Sequence, residues 1–287
     1  DQQADSIFIY DFDQSNVQRT FLTDFDQVSG LALLHEEVDE NTTYDLLFFT
    51  VNTENTLYVY DLTESAIPPG LDNPFPITNE LTGIGFFESP TALAVHADED
   101  TVAVFVLNEN GNDNSVKRLS MSLTTWLPDS SRTLATMRSS DNRLVDIAHF
   151  GQSDALFISK KITDGVGGWV YKVANASETT RTVNLDTAAF FIQRSQRVTG
   201  LTIALTNKAE TTSDLLLLKE NIAQFQAEQY DPAVGGQTPE AAYTPTASFD
   251  FLQAIEYDCT NERLLMTDVP FNPIGTVRTF FEAFPTQ

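Results

Sequence analysis

One short phrase recurs along this chain: Val28-Ser29-Gly30-Leu31-Ala32, Pro90-Thr91-Ala92-Leu93-Ala94, Leu144-Val145-Asp146-Ile147-Ala148, Val198-Thr199-Gly200-Leu201-Thr202 and Leu252-Gln253-Ala254-Ile255-Glu256. With Gly30, Ala92, Asp146, Gly200 and Ala254 as equivalents, the steps are 62, 54, 54 and 54 residues. A near-constant period of that length, filled with short strand-like runs, marks a repeat fold whose units share one core.

Each repeat reads as four strands. The phrase opens the first. The second is an apolar run: Leu46–Phe49, Val102–Leu107, Ala155–Ile158, Leu215–Leu218 and Leu264–Met266. Such a run lacks the alternation of a half-exposed strand, as expected where a sheet is covered on both faces. The third alternates, as in Thr56–Tyr60, Val116–Leu119, Trp169–Val173, Ile222–Phe225 and Val277–Phe281. A more polar fourth follows at Phe75–Ile77, Arg132–Ala135, Arg181–Leu185 and Thr244–Ala247, and proline there suits an outer edge. Turn-forming residues such as Asn110-Gly111-Asn112-Asp113-Asn114 separate the strands. Helical periodicity is almost absent; Glu220–Glu228 is the one ambiguous stretch. The pattern predicts an all-β protein, a β-propeller of five blades, with six as the alternative. Ser6–Asp11 resembles a third strand and Gln18–Leu22 a fourth, so the start of the chain is expected to complete the last blade and close the ring. The repeats run nearly end to end, which predicts a single domain over residues 1–287.

Composition narrows the partners. Among 287 residues, 41 Asp and Glu face 16 Lys and Arg, a formal net charge of −25. That field repels phosphate, so neither nucleic acid nor an anionic membrane surface is expected as a partner. No apolar stretch approaches the roughly 20 residues that span a bilayer, so membrane insertion is not expected. Cys259 is the single cysteine and reads as a small buried hydrophobe, with no intrachain disulfide to form. The chain begins at Asp1 without methionine, which fits a mature protein after signal removal. Sequons at Asn41 and Asn175 lie in polar segments between strands. Together these features predict a secreted, extracellular protein, glycosylated at Asn41 and Asn175.

The segment from Ser89-Pro90-Thr91-Ala92-Leu93 through Asp98-Glu99-Asp100-Thr101-Val102 to Phe105-Val106-Leu107-Asn108 resembles the paraoxonase/arylesterase family of calcium-dependent lactonases and esterases, which are six-bladed propellers. It is similar to that family's Pro-His-Gly-Ile segment, acidic turn and apolar strand ending in Asn-His. Leu144-Val145-Asp146-Ile147-Ala148 is similar to its Leu-Asn-Asp-Ile strand, and weaker similarity covers Asp61–Phe87 and the phrase around Gly200. Carried over residue by residue, the resemblance argues against the family's chemistry. The first histidine is Thr91 here and the second is Glu109, while the catalytic-calcium positions are Val145, Thr199 and Gln253-Ala254. Calcium takes six to eight oxygen ligands, several of them charged; Val145 and Ala254 offer none. The family's structural calcium fares better: its strand aspartate matches Asp146, its main-chain carbonyl Leu93, and its acidic partner Asp24 or Asp26. An alternative for Asp146 is a carboxylate satisfied by backbone N–H groups.

If first strands line an axis, Ser29, Thr91, Val145, Thr199 and Gln253 form a neutral ring at one mouth of a channel, suited to water, a sugar or tight packing and unsuited to metal-assisted hydrolysis. His35, His96 and His149 sit at different offsets on first strands and cannot all share a face, so no three-histidine metal cluster is expected. Partly exposed strand-end histidines are expected instead, and Asp146 and His149 should face opposite ways. There is no Gly-x-Ser-x-Gly elbow, and Gly165-Val166-Gly167-Gly168 lacks the helix a phosphate loop needs. Trp126 and Trp169 are the two tryptophans and make no sugar platform. The sequence therefore predicts a non-catalytic, paraoxonase-like module that binds a protein or glycan through its loop faces, with one structural calcium. The competing reading is a calcium-dependent lactonase or arylesterase with a rearranged site.

Overall fold

The computed structural model describes residues 5–11, 17–39, 42–63, 67–83, 85–98, 100–111, 113–138, 142–162, 167–207, 212–221, 224–236, 238–243, 252–258, 263–268 and 278–279. Among them the regular structure is strand, apart from one turn each of α- and 3-10 helix. The chain divides into two compact units, residues 1–110 with 116–132, and residues 111–115 with 133–287.

In the first unit, β1 (Asp5–Asp11) and β2 (Val17–Phe25) form an antiparallel hairpin. The strands β3 (Val28–Asp39), β4 (Thr42–Val51), β5 (Thr56–Asp61) and β6 (Phe75–Ile77) make an antiparallel sheet in chain order. A short helix α1 (Asn79–Thr82) leads to β7 (Pro90–Asp98) and β8 (Thr101–Asn110); β9 (Asp113–Ser122) and β10 (Pro128–Met137), of which residues 113–115 and 133–137 are counted with the second unit, follow them in a sheet in chain order. The continuous apolar run of β4 is explained by its two faces. Leu46 and Phe48 enter a core with Val104, Val106, Leu119, Met121 and Trp126, whereas Leu47 and Phe49 enter a second core with Ile7. Successive side chains point to opposite faces, so a strand that feeds two cores has no polar face to show.

That second core corrects the expected role of the N-terminal strands. Among the described residues β1 and β2 pair only with each other, and the hairpin lies over the face of the β3–β6 sheet. Phe25 meets Phe49 edge-on at 4.9 Å and Tyr58 at 5.2 Å, while Phe49 and Tyr58 stack. Burying those rings directs the hairpin onto a face instead of into a ladder.

In the second unit, β11 (Asn142–Phe150), β12 (Ala155–Ile162) and β13 (Gly168–Ala174) form a sheet. Its fourth strand is not Arg181–Leu185. From that segment comes β14 (Val183–Asn184), which pairs in parallel with the end of β10, Ala135 opposite Val183 and Thr136 opposite Asn184. The outer position on β13 goes to β15 (Ile192–Arg194). Then β16 (Arg197–Asn207), β17 (Thr212–Asn221), β18 (Gln224–Tyr230) and β19 (Ala241–Tyr243) make a four-stranded sheet. Within the ambiguous Glu220–Glu228 stretch, 220–221 end β17 and 224–228 belong to β18, while 222–223 lie outside the described residues. The fifth repeat contributes β20 (Leu252–Asp258), β21 (Arg263–Asp268) and β22 (Arg278–Thr279). Four sheets of four or more strands are therefore described, not five or six, and the fifth repeat shows three strands. Thr244–Ala247 and Cys259 lie outside the described residues.

Within each unit the first strands of successive sheets lie side by side, β3 with β7, β11 with β16 and β16 with β20. Phe157, Val170 and Ile192 of one sheet pack on Leu201, Leu215, Leu217 and Tyr230 of the next. Face-to-face sheets with neighbouring first strands are a propeller arrangement.

Candidate functional site

The recurring phrase has one structural meaning: it is a β-bulge. In β3, Val28 faces Val51 and Gly30 faces Thr50, leaving Ser29 as the extra residue. The same shift makes Thr91 the extra residue in β7, Thr199 in β16 and Gln253 in β20. In β11 two residues, Val145 and Asp146, stand opposite Ser159. A bulge removes backbone groups from the ladder, and buried groups so released need other partners. Hydroxyls near the bulges meet that need. Ser29 Oγ donates to the Pro90 carbonyl on β7 and lies 3.0 Å from Thr50 Oγ1. Thr91 and Thr199 each point a hydroxyl at the carbonyl across the bulge, Leu107 and Leu218, at 3.5 Å. Ser159 Oγ accepts the Asp146 N–H at 3.0 Å and donates to its carbonyl at 3.2 Å.

Asp146 departs from the small residues that fill the equivalent position elsewhere. Gly30 sits so close to β7 that an added Cβ would be 3.1 Å from Ala92 Cα. Asp146 instead reaches across to the next first strand: Oδ1 accepts the Ile147 N–H and Oδ2 the Leu201 N–H, both at 2.9 Å. The carboxylate is a clasp between β11 and β16. The other residues matched to a structural calcium are placed differently. Leu93 is buried in the core of the first unit. Asp26 is exposed, its carbonyl accepting the Thr53 hydroxyl at 2.8 Å. The backbone of Asp24 is in β2, but its side chain, like that of Gln253 in β20, lies outside what is described. Among the described residues no three His, Cys, Asp or Glu side chains gather as a metal group would need.

Each histidine has its own surroundings, and one is not exposed. His35 is on the surface, paired with Asp45 at 2.5 Å. His96 is half-buried in β7. His149 is almost fully buried, its Nε2 lying 2.9 Å from Asp154 Oδ1. Asp154 also accepts the Ser177 hydroxyl at 2.7 Å and the Ser177 N–H. Burial alone would push the Asp154 carboxyl up, but the bonds from His149 and Ser177 outweigh it and hold it below the ordinary carboxylate value. The serine hydroxyl is turned to the carboxylate, not to the imidazole, so the trio locks turns and lacks the serine–histidine contact of a hydrolase. Asn175, two residues earlier, is exposed on a positive-φ turn; Asn41 lies outside the described residues.

Two charged clusters were not legible in the sequence. In one, the buried Glu228 carboxylate takes Arg194 Nε at 2.7 Å, Lys219 Nζ at 2.5 Å and the Tyr230 hydroxyl at 2.6 Å, tying β15 to β17 and β18. In the other, Lys160 of β12 faces Trp169 directly across β13. Its Nζ stands 4.9 Å from the Trp169 ring centroid and 3.5 Å from the Tyr171 hydroxyl. Phe190, half exposed, packs on both Trp169 and Tyr171 with ring centroids 5.7 Å apart. Lys160 is 9% exposed. Burial lowers its pKa despite the opposing influence of Asp186, and burial with that same charge pushes Tyr171 up to about 12. Trp169 is therefore one part of an aromatic group with Tyr171 and Phe190. The sequence signal was faint: a lysine ending the apolar run of β12, opposite a tryptophan only once the register is known.

No known protein family matches the chain, and no curated protein does. Among solved structures, the Dos1 propeller superposes with a TM-score of 0.51 at 11% identity, over 91% of this chain and 56% of that one. The fold is a β-propeller. The chain spans little more than half the length of that structure, and at such identity the likeness carries architecture alone. An oxidoreductase (glucose dehydrogenase) from Thermus thermophilus is matched with a TM-score of 0.42 at 8% identity, over 90% of this chain and 96% of that one. In this propeller the bulges sit on the first strands, and the two charged clusters on the strands that follow them.

Proposed function

We propose that this propeller is a non-catalytic, paraoxonase-like module, secreted and glycosylated at Asn175, that binds a protein or glycan partner through its loop faces. One observation carries the reading: at the bulges, where the resemblance locates a catalytic ion, the polar groups serve the backbone. Ser29 and Ser159 hydroxyls satisfy bulge carbonyls and N–H groups, and both Asp146 oxygens accept N–H groups. A hydrolytic dication needs oxygen ligands with charge to spare, and Val145 supplies none. The net charge of −25 favours partners that are basic or neutral.

Turnover of a lactone and an aryl ester, measured with and without chelator, tests the proposal. The expected outcome is no turnover above a heat-denatured control; chelator-sensitive turnover would establish the hydrolase reading instead. The proposed structural calcium is checked in the same samples by thermal melting. A calcium-dependent rise in melting temperature that disappears in Asp146→Ala assigns the ion to Asp146, whereas identical melting curves remove the ion from the proposal.

A further inference from the structure

We propose that Lys160 is a nucleophilic amine that condenses with small aldehydes or ketones bearing an apolar group. The other buried lysines show why it stands apart. Lys219, of similar exposure at 8%, has its ammonium held by Glu228 at 2.5 Å. Lys117 donates to the Gly85 carbonyl and Lys172 to the Pro232 carbonyl. Lys160 Nζ makes a single long contact, 3.5 Å, with a phenol. Among the described residues no carboxylate lies within ion-pair distance of it. Its other neighbour is the face of Trp169, and across β11 it meets apolar Leu144. Removing an ammonium from water without a charge partner favours the neutral amine, and a desolvated lysine in an apolar setting is a recognised way to make that amine a nucleophile. The lowered pKa of Lys160 agrees in direction.

The surroundings fit a substrate class. Trp169 and Tyr171 flank the amine with aromatic surface, and Phe190, which packs on both rings, is 48% exposed, placing the cluster next to solvent. The indole Nε1 of Trp169 is buried with no acceptor among the described residues, so an oxygen-bearing molecule would gain a donor there. Two titratable groups face the amine, Tyr171 from β13 and Asp186 beyond β14.

In the reaction the Nζ lone pair attacks the carbonyl carbon and the C=O electron pair moves to oxygen, which takes up a proton. The nitrogen gives up one proton to leave a carbinolamine, whose hydroxyl takes up another and departs as water as the nitrogen lone pair forms the C=N bond; the nitrogen then gives up its second proton and the neutral imine remains. One amine and one carbonyl yield one imine and one water, with nothing oxidised or reduced. The Tyr171 hydroxyl is the side-chain group placed to hand over a proton, and its high pKa keeps it protonated at neutral pH. This chemistry is independent of the proposed partner-binding role, since a chain that hydrolyses neither lactones nor esters could still carry it.

The test uses the whole chain with benzaldehyde and sodium cyanoborohydride at neutral pH, quenched early and read by peptide mass mapping. Lys160 should be benzylated several-fold faster than its strand neighbour Lys161, because desolvation leaves more of its amine neutral. In denaturant the two rates should become equal. Lys160 labelling no faster than Lys161 in the folded chain overturns the proposal, as does a preference that survives unfolding. Tyr171→Phe should slow Lys160 labelling several-fold and leave Lys161 unchanged; equal Lys160 rates in the two proteins would remove Tyr171 as the proton donor.

Discussion

At Asp146 the cost of a bulge and the need to join two sheets are met by one side chain. Its carboxylate accepts the Ile147 N–H on its own strand and the Leu201 N–H on the next. Removing such an acceptor leaves part-buried donors unpaired, which costs about 1–3 kcal/mol. Asp146→Ala should therefore lose stability in that range in urea denaturation, while Asp26→Ala, at an exposed position, should change little. Equal midpoints for Asp146→Ala and wild type would show that water replaces the carboxylate without cost. The equivalence of Gly30, Ala92, Asp146, Gly200 and Ala254 was readable in the chain, and so was the offer of backbone capping as one role for Asp146. The clasp itself was not, because nothing local says that Leu201 will lie opposite.

Among the elements, second strands were the easiest to read, since a run such as Leu46–Phe49 is apolar on both faces for one reason, burial in two cores. Outer strands were the hardest. Arg181–Leu185 has the composition of an edge, but composition does not choose which edge. Tertiary bonds do: Leu185 N–H donates to the Thr136 carbonyl and Asp186 accepts the Arg138 N–H, drawing β14 onto β10. The turn after β11 holds a titratable lock of the same kind, Asp154 with His149 and Ser177. The Asp154 pKa is lowered in the folded chain, so the folded state binds that proton less readily than the unfolded state, whose value is about 3.9. The stabilisation is complete above that value and is lost as pH falls through the folded one. Asp154→Asn, which tolerates the left-handed backbone there, should be less stable at neutral pH and lose less stability on acidification. Parallel stability–pH curves for mutant and wild type would show that Asp154 contributes nothing to acid sensitivity.

At the scale of the whole molecule, the repeats predict all-β sheets and the structure agrees, while the blade count and the seat of the N-terminal hairpin differ from expectation. The hairpin follows its aromatic side chains onto the face of the β3–β6 sheet. The charge of −25 acts on the entire chain, because like charges on a compact surface repel. Raising sodium chloride from about 0.01 M to about 0.15 M shortens the screening length from roughly 30 Å to roughly 8 Å. The melting temperature should rise over that interval and then level; a flat profile would mean that the acidic groups are too dispersed to strain the fold. The period, the strand types and the sign of the field are properties of local order and composition, so the chain alone settled them. Which carboxylate reaches which amide, which sheet edge receives β14 and which buried lysine is set against aromatic rings depend on residues brought together by packing. Those matters were decided only when packing brought distant strands into register.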